Sequence, residues 1–558
     1  MNKNTNKPLL RRTAAAAALV AAAACTLFAH RNDFGLGRNM EIAVNMMRTL
    51  SQEYVDPIDP DKLMEGAAAG MVADLDPYTE FIPESGMQRF ELLTTGKYGG
   101  IGSLIRQKED YVRIAQPYEG SPADRAGLKI GDRIVAIDGE DAAGFTTEQV
   151  SDRLKGEPGS RVRVTVRGLD GAERTATIVR ERIAIPGVPY VGWAAEGIGY
   201  IRHSDFTEGC SEELRAAIER LRAEGELKGL VLDYRSNGGG IMQEAVKILS
   251  MFVPKGTEVV TTEGRTEASL QRYATASEPV LPDLPLAVLV NGNSASASEI
   301  VAGALQDLDR AVLVGQRTYG KGLVQSTRPL GYNALLKLTT AKYRIPSGRC
   351  IQAVDYSRSQ EGEVRAVPDS LIGEFATRGG RKVYDGGGIM PDIRTEPQYV
   401  SRFAATLYAL GFIEDFCDDW MRRRGDEPID LRTFTISDAD YADFVAFMRD
   451  KEVPYESDTR RALKALRKAA ESDRFADLQQ TVERLEAEVE DDTQANLATY
   501  RKEIAEAIDN DLVLRRGYVR GVIGRSLAGD GELQRAAELL RDTTEYRRIL
   551  AEQDTERK

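Results

Sequence analysis

Two short apolar stretches constrain the fold of this chain most strongly, LVLDY at 230–234 and LAVLV at 286–290. Each is almost continuously apolar, which is typical of strands whose two faces are both buried. Helical patterns follow both stretches, in IMQEAVKILSMF and in SASEIVAGALQDL. Such strands alternating with helices belong to a largely parallel sheet with helices on both faces. The sequence therefore predicts a multidomain α/β protein whose α/β part occupies residues 183–397.

Other patterns flank this region, as expected for 558 residues, a length too great for one ordinary domain. Residues 31–96 have apolar residues at helical spacing and predict an N-terminal helical region. Residues 97–182 alternate polar and apolar residues in about five stretches, which predicts a small β-rich module with two short helices. Residues 398–558 are charged and mostly helical, and within them 460–492 predicts one long, partly exposed helix. A brief coiled coil is the alternative for that stretch.

The first thirty residues differ in kind from the rest. A basic segment, MNKNTNKPLLRR, precedes an uncharged alanine-rich run at 14–29. This pattern predicts a secretory signal or an N-terminal membrane anchor over residues 1–30. Cys25 leaves lipid attachment as a lesser alternative, and a soluble alanine-rich helix is another. We expect an exported protein, either periplasmic or held at a membrane by this segment.

Composition excludes several classes of function. The net charge of −13 argues against nucleic acid as the main partner, because phosphate contacts require a basic surface. With two histidines, His30 and His203, and no CxxC pair among four cysteines, neither a metal site nor a cofactor is predicted. Cys210, Cys350 and Cys417 are expected in the core rather than in disulfides.

Three alternating serines, Ser294, Ser296 and Ser298, follow the strand LAVLV and precede a helix. The carboxyl end of a buried strand is where open α/β sheets place their sites, and the first amides of a helix suit an oxyanion. A nucleophile is one interpretation of this segment, and simple helix capping is the other. The residues alone do not choose among the three serines.

A nucleophilic serine needs a base, and histidine is nearly absent. His203 lies in a predicted strand, where a structural role is favoured. A buried lysine with a lowered pKa is the remaining base, and Lys321 lies between two glycines in TYGKGLVQ. An exposed lysine in a turn is the alternative. The glycine triplet in LDYRSNGGG predicts either a tight turn or a second donor for an oxyanion.

These segments together resemble the C-terminal processing (tail-specific) serine peptidases. The resemblance covers about residues 40–395 and rests on segments that occur in the family's order. They are LDPYTEF (75–81), YGGIG (98–102), SPADRAGLKIGDRIVAIDG (121–139), LDYRSNGGG, SASAS, TYGKGLVQ, YRIPSGRCIQ and GGIMPDI. The resemblance implies a crotonase/ClpP-like protease core, preceded by a PDZ domain over residues 97–182.

The resemblance also implies a role for each residue of the site. Ser296 is the implied nucleophile, Lys321 the general base and Gln325 the residue that orients the lysine. The amides of Ala297 and Gly239 form the implied oxyanion hole. Family members often have proline where this chain has Gly238.

The PDZ domain implies recognition of a peptide C-terminus. The implied carboxylate-binding residues are those of the YGGIG loop: Tyr98, Gly99, Gly100, Ile101 and Gly102. We therefore expect a serine endopeptidase that acts on exported proteins or peptides with free C-termini. A non-catalytic PDZ scaffold on the same core is the main alternative, and an acyl-CoA enzyme is a weaker one. A homo-oligomer is an option that the sequence leaves open.

Overall fold

A computed structural model of the protein describes residues 35–356, 365–425, 427–489 and 492–551. The segment predicted to direct export, residues 1–30, lies outside the described residues. Within them, no helix combines the length and the apolar character that crossing a bilayer requires. The chain divides into two compact units, the smaller of which comprises the residues up to Glu84 together with Thr327–Leu338.

The part of the smaller unit up to Glu84 contains two helices and a short strand. Helix α1 spans residues 35–53, helix α2 spans Pro60–Val72, and strand β1 spans Glu80–Ile82. The side chain of Asp59 caps α2 by accepting from the first amides of the helix. The prediction of helices alone for this region missed β1, which is only three residues long. Its extended form comes from antiparallel pairing with Leu335–Lys337 rather than from a pattern of its own.

The larger unit begins with helix α3 and a β-rich module. Its elements are α3 (Met87–Thr95), β2 (Lys97–Gly100), β3 (Ser103–Lys108), β4 (Tyr111–Pro117), α4 (Pro122–Arg125), β5 (Arg133–Ile137), β6 (Glu140–Asp141), α5 (Thr147–Leu154), β7 (Arg161–Arg167), β8 (Glu173–Val179) and β9 (Glu181–Ala184). The main sheet has the order β3-β4-β5-β7-β8, and β2 pairs separately with β9. Strands β8 and β9 are separated at Arg180, whose side chain donates to the carbonyls of Arg153 and Leu154.

An α/β region follows this module. Its elements are β10 (Tyr190–Ala195), β11 (Ile198–Arg202), α6 (Cys210–Glu224), β12 (Gly229–Asp233), α7 (Met242–Leu249), β13 (Glu258–Gly264), β14 (Gln271–Ala274), β15 (Leu286–Val290), α8 (Ala297–Asp307), β16 (Val312–Gly315), β17 (Leu323–Gly331), β18 (Ala334–Arg344), β19 (Val354–Asp355), β20 (Arg365–Ala366), β21 (Glu374–Ala376), β22 (Lys382–Tyr384) and β23 (Ile393–Arg394). Six strands form one sheet in the order β10-β11-β12-β15-β16-β23. Only the β10–β11 pair of this sheet is antiparallel.

Helices make up the rest of the described chain. They are α9 (Arg402–Ala409), α10 (Phe412–Arg424), α11 (Asp438–Phe447), α12 (Asp458–Ser472), α13 (Ala476–Glu488), α14 (Thr493–Thr499), α15 (Arg501–Ser526), α16 (Gly531–Arg541) and α17 (Thr543–Ala551). The prediction of one long helix over 460–492 was wrong. The chain reverses between α12 and α13, where Arg474 has a φ of 61° that a continuous helix cannot accommodate.

The six-stranded sheet confirms the predicted fold class, because helices cover both of its faces. Leu230, Leu232 and Val288 point to the layer that contains α6, α7 and α8. Val231 and Leu289 point to the opposite face, where α16 packs. The continuous apolar pattern of β12 and β15 thus reflects burial on both sides of the sheet. The second cover layer comes from the helical part of the chain.

Candidate active site

Three loops meet at the carboxyl ends of adjacent parallel strands. The glycine loop (234–241) follows β12, the serine loop (291–296) follows β15, and the lysine loop (316–322) follows β16. Because β12, β15 and β16 are neighbours in the sheet, their carboxyl ends bring the three loops together.

The three serines have different environments. Ser294 and Ser298 are both 0% exposed. The Ser294 hydroxyl donates to the carbonyl of Tyr234 at 2.8 Å, and the Ser298 hydroxyl donates to the carbonyl of Asn237 at 2.9 Å. Both hydroxyls therefore attach the serine loop and the start of α8 to the glycine loop.

Ser296 differs from its neighbours in exposure and in backbone conformation. It is half-buried and immediately precedes α8, with φ 57° and ψ −115°. A non-glycine residue in this region carries about 1–3 kcal/mol of backbone strain, which surrounding contacts must sustain. A strained turn between a strand and a helix is how the α/β-hydrolase fold exposes a nucleophilic serine.

A buried carboxylate that sequence reasoning missed, Glu299, joins the serine loop to the lysine loop. Its Oε2 accepts from the backbone amides of Ser296, at 2.8 Å, and Lys321, at 2.9 Å. Its Oε1 accepts from the Thr318 hydroxyl, at 2.5 Å, and from the Gly320 amide, at 2.7 Å. Burial raises the pKa of Glu299, and these hydrogen bonds oppose that rise. The S-x-x-E spacing of a capping box was the signal that could have identified it.

Lys321 is half-buried between two glycines that pack against other backbone segments. Gly320 has a φ of +86°, and a Cβ there would lie 2.5 Å from the Cβ of Ala353. A Cβ at Gly322 would lie 2.9 Å from the amide nitrogen of Gln352. The glycines therefore let the lysine loop pack closely against residues 352–353, which an ordinary exposed turn would not require.

Gln325 lies on β17 and faces the adjacent strand of its hairpin. Its Nε2 donates to the Thr339 hydroxyl on β18 at 3.1 Å. This hydrogen bond to Thr339 holds the side chain of Gln325 against β18.

The glycine loop touches the start of α8. Gly239 has a φ of +93°, and a Cβ there would lie 2.6 Å from the carbonyl oxygen of Ala295 and 2.8 Å from the amide nitrogen of Ala297. The Gly239 amide donates to Oδ1 of Asn237 at 2.9 Å. Of the two predicted oxyanion donors, Ala297 is thus the first residue of α8, whereas Gly239 lies beside it with its N–H bonded to its own loop.

Asn237, which the sequence interpretation did not identify, organises the glycine loop. Its Nδ2 donates to the carbonyl of His203 at 2.8 Å, and its own carbonyl accepts from the amide of Ala295 at 3.0 Å. Together with the Gly239 contact, these bonds connect the ends of β11, β12 and β15. Asparagine supplies both donors and acceptors, which this position uses.

His203 is 0% exposed and lies directly after β11. Its ring is 4.5 Å from the ring of Phe206 and 5.2 Å from that of Tyr234, between centroids. Its Nε2 contacts the carbonyl of Asp205 at 2.9 Å, which requires the proton on Nε2. Burial lowers the pKa of His203 to about 4. The histidine is neutral near pH 7 and packs behind the glycine loop.

The YGGIG segment spans a strand and the connection after it. Tyr98, Gly99 and Gly100 belong to β2 and pair with β9, whereas Ile101 and Gly102 lead into β3. The ring of Tyr98 lies against its own strand, since a Cβ at Gly100 would come within 2.8 Å of it. Burial raises the pKa of Tyr98 above its ordinary value.

The sheet edge beside this segment is open within the described residues. Strand β3 is the end strand in the order of its sheet, and α5 packs next to it. The carbonyl of Ile101 accepts from the Ala123 amide at 2.8 Å, and that of Gly102 from the Ser121 hydroxyl at 2.8 Å. These bonds hold the connection that leads into β3, the strand beside which α5 packs.

In the described part of the chain, no group of three or more histidine, cysteine, aspartate or glutamate side chains is placed to hold a metal ion. Cys210 and Cys417 are buried, Cys350 is half-buried, and all three are free thiols.

Three family models match successive parts of the chain. The model for a PDZ domain matches residues 113–168. The model for peptidase family S41 matches residues 197–357. The model for the C-terminal helical domain of a probable PDZ-protease matches residues 403–540.

Curated relatives and a solved structure also match this chain. A carboxy-terminal-processing protease of Bartonella bacilliformis is 38% identical over 308 residues, which are 54% of this chain and 70% of that protein. A probable CtpA-like serine protease of Staphylococcus aureus (strain N315) is 34% identical over 331 residues, 58% of this chain and 66% of that one. The structure of a photosystem II D1 C-terminal processing protease matches 64% of this chain and 88% of its own, at 28% identity and a TM-score of 0.35.

Proposed function

Because this chain belongs to the carboxy-terminal-processing proteases and has the core of a family S41 serine peptidase, we propose that it is an endopeptidase with a Ser296–Lys321 dyad. Ser296 attacks the scissile carbonyl, and Lys321 is the general base. The substrates are exported proteins or peptides, selected by their free C-termini. The basic and apolar segment over residues 1–30 supports action outside the cytoplasm.

The observation that carries the proposal is the carboxylate of Glu299. One of its oxygens accepts from the backbone amides of both Ser296 and Lys321. Two loops distant in sequence are thereby held at one buried point, and Ser296 and Lys321 are both half-buried. A nucleophile and a base require such mutual positioning.

In the proposed reaction, the neutral amine of Lys321 takes the proton of the Ser296 hydroxyl as Oγ attacks the carbonyl carbon. The protonated lysine then gives this proton to the leaving amine, and the acyl-enzyme forms. Water, deprotonated by the same lysine, hydrolyses the acyl-enzyme and regenerates the serine. Gln325 is proposed to orient the lysine from β17.

The proposed oxyanion hole uses the amides of Ala297 and Gly239. The Ala297 amide begins α8, where the helix dipole adds to its stabilisation of a negative charge. The Gly239 amide must exchange its bond to Asn237 for one to the oxyanion as the substrate binds. Removing a single such donor typically lowers kcat by roughly 10²–10³-fold.

Recognition is assigned to the open edge of β3, beside α5. An extended peptide can add to the open edge of β3 while its terminal carboxylate meets the amides of the YGGIG segment. Tyr98, Gly99, Gly100, Ile101 and Gly102 remain the proposed carboxylate-binding residues. Of these, Ile101 and Gly102 are nearest in sequence to the open strand.

The dyad is tested by substitution in the purified protein with casein as an unstructured substrate. We expect Ser296→Ala and Lys321→Ala to lower the rate by roughly 10⁴-fold or more with the fold intact by circular dichroism. Lys321→Arg should not restore it, because a guanidinium does not deprotonate at neutral pH. A fluorophosphonate probe should label Ser296 in the unmodified protein. Full activity in Ser296→Ala, or labelling at another residue, would contradict the assignment.

The neighbouring serines provide the matched controls. Ser294→Ala and Ser298→Ala each remove a buried hydrogen bond and should lower the free energy of unfolding by about 1 kcal/mol. Both variants should still be labelled at Ser296. Absence of hydrolysis by the unmodified protein would favour the non-catalytic PDZ scaffold instead.

A further inference from the structure

Two carboxylates at the start of α16, Asp530 and Glu532, contact the ends of core strands. Asp530 is the N-cap of this helix and accepts from the amide of Leu533 at 3.0 Å. Its other contacts and those of Glu532 extend away from the helix, to residues that follow β12, β16 and β23. Capping alone would not require a second carboxylate directed at the sheet.

Both carboxylates bind Arg235, which is the second residue of the glycine loop after β12. Nη2 of Arg235 donates to Oδ2 of Asp530 at 2.5 Å, and Nη1 donates to Oε2 of Glu532 at 2.8 Å. The same guanidinium binds Asp233, with its Nε 3.0 Å from Oδ1. Arg235 lies only two residues before Asn237, whose side chain accepts from the Gly239 amide.

Glu532 also contacts the residue that begins the lysine loop. Its Oε1 accepts from Nε2 of Gln316 and, at 2.6 Å, from the hydroxyl of Thr395 after β23. The same Nε2 of Gln316 also donates to the Thr395 hydroxyl at 2.7 Å. The carboxylate of Glu532 is therefore bonded near the start of both the glycine loop and the lysine loop.

The charges in this cluster are well shielded from solvent. The side chains of Arg235, Asp530 and Glu532 are 17%, 15% and 14% exposed, and that of Asp233 is 0% exposed. Although burial works against its charge, Arg235 and Arg202 hold the pKa of Asp233 below its usual value. Removing one partner from such a cluster leaves another charge unpaired in a poorly solvated place, so the local backbone must move.

We propose that Asp530 and Glu532 are positioning residues of the active site, which hold the glycine loop through Arg235 and the lysine loop through Gln316. This inference rests on the proposed Ser296–Lys321 mechanism and assigns a task to the C-terminal helices in it. Neither carboxylate is assigned a contact with substrate. They act through the strand ends that carry the oxyanion donor and the base.

The test compares three variants of the full chain: Asp530→Asn, Glu532→Gln and the double variant. Asparagine keeps the cap of α16, and glutamine keeps the size of the side chain, so the charge is the main change. Glu538→Gln is the control, because Glu538 is an exposed acid on the same helix. Each variant is assayed below its own thermal midpoint for kcat, KM and the rate of fluorophosphonate labelling of Ser296.

We expect the double variant to lose roughly 10²-fold in kcat and in labelling rate, with KM nearly unchanged, because the geometry of the reacting groups is lost rather than the binding of peptide. The single variants should show smaller losses of the same kind, and Glu538→Gln should match the unmodified protein. Equal labelling rates in folded double variant and unmodified protein would overturn the inference. If the double variant does not fold, the inference is overturned when both single variants are labelled at the same rate as the unmodified protein.

The result separates this inference from the proposed function. A missing Ser296 label in the unmodified protein refutes the proposed nucleophile, whatever the variants do. Normal labelling in both the unmodified protein and the variants refutes only the role of Asp530 and Glu532.

Discussion

Two neighbouring glycines of the glycine loop, Gly238 and Gly239, differ in whether their position could accommodate a side chain. Gly239 has a φ of +93° and touches the serine loop, whereas a Cβ at Gly238 would meet nothing within 4 Å. Gly238 also lies outside the positive-φ region. The two positions therefore distinguish a glycine that the site needs from one that it tolerates.

We predict that Gly239→Ala lowers kcat by roughly 10²–10³-fold, because the methyl group displaces the loop from Ala295 and Ala297 and removes a donor from the oxyanion hole. Gly238→Ala, the control, should change the free energy of unfolding by less than about 0.5 kcal/mol and leave hydrolysis nearly unchanged. Peptidase assays with thermal unfolding of both variants test this. Equal activities would show that the Gly239 amide has no part in catalysis.

At the same scale, the sequence provides candidate residues for the site but not the residues that organise its loops, although the spacing of Ser296 and Glu299 was a signal for one of them. The shortage of histidine left a buried lysine as the candidate base, and Lys321 was the lysine that the sequence offered between two glycines. Glu299 and Asn237 were missed because each acts through backbone groups of loops distant in sequence. Only the folded chain brings those groups together.

At the scale of elements, the segment after β11 supports the glycine loop. The carbonyl of His203 accepts from Asn237, and the backbone of Phe206 bonds to Gly239 and Ile241. The His203 ring is enclosed by Phe206 and Tyr234 and holds its proton on Nε2. Protonation at Nδ1 would place a charge inside this aromatic cluster.

We predict that His203 makes the protein less stable in mild acid. Between its ordinary pKa of 6.5 and its value of about 4 in the fold, the unfolded chain binds a proton that the folded chain does not. The free energy of unfolding therefore falls as the pH drops through this window, by about 3 kcal/mol in all, and it is fully retained above the window. Urea unfolding between pH 7.5 and 4.5 measures the slope.

The control for this prediction is His203→Phe, which keeps an aromatic ring beside Phe206 and Tyr234. Its free energy of unfolding should depend less on pH than that of the unmodified protein over the same range. Parallel curves for the two proteins would mean that the pKa of His203 is the same in the folded and the unfolded chain.

The buried strands of the sheet could be predicted from the sequence, whereas the ends of some helices and the surfaces on which they pack could not. The apolar runs of β12 and β15 determine burial on both faces, whatever covers them. By contrast, nothing in the pattern of 460–492 marks the reversal at Arg474, and an amphipathic pattern at 531–541 does not say which surface α16 meets. That α16 covers the catalytic sheet follows from contacts between distant segments, such as Arg235 with Asp530.

At the scale of the whole larger unit, the C-terminal helices also bind the PDZ module. Arg113 of β4 forms ion pairs with Glu414 and Asp418 of α10, the latter at 3.0 Å. Arg515 of α15 binds the same Asp418 at 2.7 Å. The arginine side chains in this cluster are each only 3% exposed, so the module is attached by shielded charges. The same helical part therefore contacts both the module assigned to recognition and the sheet assigned to catalysis.

We predict that recognition depends on the free carboxylate of the substrate. A peptide with an apolar C-terminal residue should bind the Ser296→Ala variant more tightly than the same peptide with a C-terminal carboxamide. The carboxamide lacks the negative charge to which the backbone N–H groups of the YGGIG segment are proposed to donate. The unmodified protein should cleave a longer substrate with a free terminus faster than its amidated form. Isothermal titration and product analysis measure the two effects. Equal affinity and equal cleavage would contradict recognition through the PDZ module.

The position of α16 on the sheet has a consequence for how this protein comes into being. Ribosomes deliver a chain from its N-terminus, so Ser296 and Lys321 emerge long before the helix that covers Val231 and Leu289 on the other face of their sheet. Until that helix docks, Arg235 and Gln316 lack Asp530 and Glu532. A nascent or prematurely terminated chain thus carries the proposed nucleophile and base without the two carboxylates that are proposed to position them. On this proposal, the order of synthesis delays proteolytic competence until the last helices have formed.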